Sequence, residues 1–126
     1  MTFIENKNLH DSLRAFFQTI DVQHLNAVLM ENGVSDLELR KKILESYFFT
    51  SGEFFDAGWF EADGKKYSAI VCFRVVGPDL RRGDTMICPD PDWGTIFHEM
   101  ALGTAEMVAE NPDDEGVKVK IGEIEG

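Results

Sequence analysis

The chain has 126 residues, 44% of them hydrophobic, with ten Phe, two Trp and two Tyr. That is enough apolar matter for one core, so global disorder is excluded and a single α+β domain over residues 1–126 is expected. A net charge of −11 repels phosphate backbones and anionic lipid surfaces, which argues against nucleic-acid and membrane partners and favours a cationic one.

The first third has helical spacing. Asn8 is placed to cap a helix with Leu9, Leu13, Phe16, Phe17 and Ile20 on one face. Asp21 is placed to cap a second, shorter helix with Leu25, Val28 and Leu29 inward, ended by Gly33. Ser35 and Glu38 have capping-box spacing, with Val34 and Leu39 at the staple positions. They predict a third helix carrying Leu39, Ile43, Leu44, Tyr47 and Phe48 inward and stopping at Gly52.

Asp63-Gly64 then divides two strand-like runs and suits a type I′ turn, whose central residues both need positive φ. The resulting register sets Glu61 opposite Lys66 and Phe60 opposite Tyr67. The hairpin is expected over 58–76, and its second strand, apolar on both faces from Ala69 to Phe73, is expected to be central. Cys72 within that run reads as a buried free thiol. Residues 77–94 are loop-rich, with a short third strand at Thr85–Cys88. Near 95–110 helical spacing returns through Phe97, Ala101, Ala105 and Val108, and Pro112 ends it; alternation of Ile96, Met100 and Leu102 makes a strand the competing reading. Val117, Val119 and Ile121 alternate with polar residues, predicting a C-terminal strand. The expected fold is α+β, with N-terminal helices followed by a small antiparallel sheet (hairpin 58–76 plus the C-terminal strand) and one further helix near 95–110.

Two cysteines make no disulfide framework, no charged-then-apolar leader opens the chain, and no stretch approaches the roughly 18 apolar residues of a membrane span. These features predict a cytoplasmic location.

Three constellations bear on function. Between Arg82 and Lys118 there is no Lys or Arg, while nine carboxylates occur: Asp84, Asp90, Asp92, Glu99, Glu106, Glu110, Asp113, Asp114 and Glu115. Such a segment either points into water or meets a cationic neighbour. Secondly, Tyr47, Phe48, Phe49, Phe54, Phe55, Trp59 and Phe60 crowd one window, too many for one side of a helix–strand junction to bury easily. Thirdly, His98 and Glu99 follow Asp90 and Asp92, the residue types of acid–base or metal chemistry. Their spacing matches neither the zincin pattern, since position 102 is Leu102, nor a calcium loop, since position 94 is Gly94. No phosphate-binding or dinucleotide fingerprint occurs, so no cofactor and no metal are expected.

The leading reading is a non-enzymatic acidic binding or inhibitor protein, similar in size and charge to immunity proteins, that meets a basic protein partner through Asp84, Asp90, Asp92, Trp93, Glu99, Glu106 and Trp59. One alternative is a small metal-dependent or acid–base hydrolase using His98 with Asp90 or Asp92 and Glu99. Another is a homo-oligomer, such as a homodimer, joined through the aromatic window 47–60.

Overall fold

The structure, a computed structural model, describes residues 1–125. The order is β1 (Thr2–Glu5), α1 (Lys7–Glu31), α2 (Leu37–Ala57), β2 (Phe60–Ala62), β3 (Lys65–Tyr67), β4 (Phe73–Val76), β5 (Arg82–Cys88) and α3 (Phe97–Glu110). The class is α+β, as expected. Among the described residues no helix is long and apolar enough to cross a membrane.

One helix, α1, replaces the two expected at the N-terminus. Asn6, not Asn8, caps it by accepting from the Leu9 amide at 3.0 Å. It runs through Asp21 because its inward stripe is continuous, at His10, Arg14, Gln18, Val22 and Asn26. That stripe is mostly polar, whereas Phe16 and Phe17, expected inward, are exposed. Buried polar groups are tolerated when each finds a partner. Three of these bond across the fold, Arg14 Nη1 donates within α1 to Gln18 Oε1 at 2.6 Å, and His10 Nδ1 and Arg14 Nε have no hydrogen-bond partner among the described residues. Gln18 Nε2 donates to the Phe97 carbonyl at 2.8 Å, and His10 Nε2 donates to Val71 O at 2.7 Å. Asn26 Oδ1 accepts from Arg40 Nε at 3.0 Å.

Asp36 caps α2 by accepting from the Leu39 amide at 2.8 Å, one position beyond the expected Ser35. Gly52 does not stop this helix. It is buried where α3 crosses, and α2 continues to Ala57. The two helices run antiparallel: Lys41 at the start of α2 pairs with Glu110 at the end of α3, and Asp56 meets the first residues of α3. Small residues let them approach closely, and Leu44, Phe48, Ala101, Ala105, Val108 and Ala109 form the core with Val22 of α1. The helical reading of 95–110 therefore holds, with the expected inward face.

The Asp63-Gly64 turn forms with φ of 51° and 77°, and β2 and β3 pair with Phe60 opposite Tyr67 and Glu61 opposite Lys66. The hairpin does not extend to 76. Since α2 occupies the chain through Ala57, only three residues remain for β2, and β3 loses its partner after Tyr67. The following residues leave the ladder, and β4 joins a separate sheet of order β1-β5-β4. That sheet is mixed rather than antiparallel, because β1, not foreseen as a strand, pairs in parallel with β5 from Thr2–Thr85 to Glu5–Cys88.

The expected C-terminal strand is absent among the described residues. Val117 instead packs against the helical core while its carbonyl accepts from Gln23 Nε2. Val117 itself lies in a turn, with its amide donating to Asp114 O at 3.0 Å, and Ile121 of the same alternating set is exposed.

Candidate functional site

The site is built around the N-terminus of α3. Its N-cap residue, Ile96, has no side-chain acceptor, so the free amides of the first turn need one from elsewhere. Asp56, at the far end of α2, supplies it. One carboxylate oxygen accepts from the Phe97 amide at 3.0 Å and from the Thr95 hydroxyl; the other accepts from the His98 amide at 2.8 Å. A carboxylate here also meets the positive end of the helix dipole. Its side chain is only 4% exposed, and the buried Arg14 guanidinium lies near enough to interact electrostatically with Asp56 and Asp11. Burial itself lowers the Arg14 pKa from its ordinary value.

The same carboxylate orients His98. His98 Nδ1 lies 2.5 Å from Asp56 Oδ2. A carboxylate accepts, so Nδ1 carries the proton, and Nε2 makes no hydrogen bond to the described residues. The ring stands edge-on to Phe49 at 5.9 Å. The hydrogen bond to Asp56 raises the His98 pKa above the usual imidazole value, with smaller help from the charges of Asp56, Glu99 and Glu53.

His98 opens onto a cleft of about 490 Å³ lined also by Lys7, Asp11, Asp56, Trp93 and Glu99. A second cleft of about 270 Å³ adjoins it through Lys7 and is lined by Glu5, Asp90 and Asp92. Together the two clefts are lined by six carboxylates, three in each, set against Lys7 and His98, and Lys7 is already tied to Asp11 at 2.9 Å. Between them the loop turns tightly: Asp90 Oδ1 accepts from the Asp92 amide, Asp90 O accepts from the Gly94 amide at 2.8 Å, and Gly94 has φ of 69°. This turn projects Trp93, which is 77% exposed.

Four of the residues singled out for partner binding thus converge: Asp90, Asp92, Trp93 and Glu99. The others lie apart. Asp84 is exposed on β5. Glu106 lines a separate groove with Lys41 and Lys42. Trp59 lines neither cleft, and Lys66 Nζ sits 4.6 Å from its ring centre. Of the nine carboxylates between Arg82 and Lys118, only Glu110 and Glu115 form ion pairs among the described residues, with Lys41 and Lys118. All but Asp90 are exposed.

The chemistry read into His98 takes a different form. Its partner is Asp56, 42 positions earlier, rather than Asp90 or Asp92, and Glu99 is exposed beside it. An imidazole held by a carboxylate can accept a proton at Nε2. The Thr95 hydroxyl, in the same cleft, is engaged with Asp56. Among the described residues no three His, Cys, Asp or Glu side chains gather as a metal-holding group. Asp56, Thr95, Lys7, Asp11 and Arg14 escaped the sequence reading, because nothing local to them announces the α2–α3 junction. In the aromatic window, Phe48 is core and Tyr47, Phe49, Phe54, Trp59 and Phe60 are exposed. No protein-family model, curated protein or solved structure matches the chain.

Proposed function

We propose that this chain is a non-enzymatic binding protein whose acidic face, around Asp90, Asp92, Trp93 and Glu99, engages a basic protein partner, such as an enzyme it blocks. The observation that carries this reading is the convergence of carboxylates on two adjoining clefts that flank an exposed indole, with Glu5, Asp90, Asp92 and Glu99 in no ion pair among the described residues. The carboxylates raise the encounter rate with a cationic surface. Trp93 offers the anchor, since a guanidinium stacked on its ring gains about 0.5–2 kcal/mol. A partner arginine seated there reaches Glu99 or Asp11 with its fork of donors. The same negative field disfavours nucleic acid. Two free cysteines suit a reducing compartment such as the cytoplasm.

The test uses an arginine-rich peptide as probe and measures its association rate with the protein by stopped flow. The rate is expected to fall steeply as ionic strength rises from about 0.05 to 0.5 M, as the screening length contracts. A rate indifferent to salt refutes the steering.

A further inference from the structure

The two cysteines stand close together in the fold. Phe73 of β4 pairs with Ile87 of β5 in the antiparallel ladder, so the positions just beyond, Cys72 and Cys88, face each other at its end. Their sulfurs are 3.6 Å apart although the residues are 16 positions apart in sequence. Directly opposite residues of an antiparallel pair have Cα separations of about 4.5–5.5 Å, within the range a disulfide spans. Closure therefore needs mainly side-chain rotation, not backbone movement.

The surroundings hold both residues in place. The Cys88 carbonyl accepts from the Asn6 amide, tying the end of β5 to the cap of α1. The carbonyl of Val71, next to Cys72, accepts from the buried His10. Both cysteines are partly exposed, so small reagents reach them. As β5 ends, the chain turns into the segment that carries Asp90, Asp92 and Trp93.

The geometry points to a thiol–disulfide couple: we propose that Cys72 and Cys88 close to an intramolecular disulfide on reaction with a low-molecular-weight disulfide such as oxidised glutathione. One protein thiolate attacks the glutathione disulfide, forming a mixed disulfide and releasing one reduced glutathione. The second protein thiolate, already in contact, attacks the mixed disulfide and releases the other. Two thiols lose two protons and two electrons in all, and one oxidised glutathione becomes two reduced. Burial, aided by the neighbouring thiol, pushes the Cys72 pKa up to about 11. The Cys72 thiol is thus predominantly protonated at neutral pH, and its attack is slow there and faster as pH rises.

The test equilibrates the purified protein with glutathione redox buffers at pH 8, traps free thiols by alkylation and reads the products by peptide mass spectrometry. The expected product lacks two hydrogens, joins the Cys72 and Cys88 peptides and retains no glutathione. Cys72→Ser and Cys88→Ser are each expected to stop at the glutathione adduct. The apparent Tm of the oxidised protein is expected to exceed that of the reduced protein by about 5 °C or more. The proposal is overturned if both thiols remain alkylatable in excess oxidised glutathione. Accumulation of wild-type glutathione adducts without closure overturns it equally.

Discussion

Replacing Gly52 by Ala probes the junction on which the site depends. At an exposed helix interior this change stabilises by about 1 kcal/mol, since Gly is the poorer helix former. Here the new Cβ would stand 2.6 Å from His98 N, 2.8 Å from His98 Cα and 2.9 Å from Phe97 C, all backbone atoms of α3. Ordinary contact begins near 3.4 Å, so the start of α3 must retreat by roughly 0.8 Å or more. Retreat stretches the bonds from the Phe97 and His98 amides to Asp56, now 3.0 and 2.8 Å. Overpacking costs about 1–3 kcal/mol, and weakening a charge-assisted bond adds about 1.5–3 kcal/mol. After subtracting the propensity gain, Gly52→Ala is expected to destabilise by about 1.5–5 kcal/mol. Urea denaturation followed by circular dichroism measures it. With a slope of about 1–3 kcal/mol per molar, the midpoint drops by at least about 0.5 M. A midpoint equal to or above that of the wild type would mean that Gly52 does not hold α3 in place.

Two further outcomes follow from polar contacts. Arg40→Met leaves Asn26 Oδ1 and the carbonyls of Ser35 and Ala109 without their donors, and is expected to destabilise by about 2–4 kcal/mol; adding Asn26→Leu should recover part of the loss. Strict additivity of the two changes in a double-mutant cycle would contradict a shared network. For His98 the sign follows from its raised pKa: the charged imidazole stabilises the fold below the ordinary value of about 6.5, and that contribution fades as pH climbs through the higher folded value. Urea midpoints between pH 6 and 9 should fall more steeply for the wild type than for His98→Asn, and parallel curves would dismiss the Asp56–His98 pair as a stabilising contact.

Local chemistry made some of the fold legible. Asp63-Gly64 announced its turn because few residues accept two successive positive φ angles, and the Glu61–Lys66 and Phe60–Tyr67 pairs followed from that register. The inward face of α3 was readable because Phe97, Ala101, Ala105 and Val108 are apolar and spaced for a helix. By contrast, α1 turns His10, Arg14, Gln18 and Asn26 inward, residues whose spacing resembles an exposed face until their distant partners are known. The candidate site was half legible. Asp90, Asp92, Trp93 and Glu99 lie within ten residues, and their charge stood out unopposed. Asp56 did not, because its role as cap to α3 exists only once two antiparallel helices bring it across 41 positions to the Phe97 amide.

The acidic face itself is tested most directly by titrating isotope-labelled protein with an arginine-rich peptide and following amide NMR shifts, beside the variant Asp90→Asn, Asp92→Asn, Glu99→Gln and Trp93→Ala combined. The account expects shifts concentrated at residues 90–99 and the flanking Lys7 and Asp11, with at least tenfold weaker binding by the folded variant. Shifts scattered over the whole surface, or equal affinity for both proteins, would contradict it.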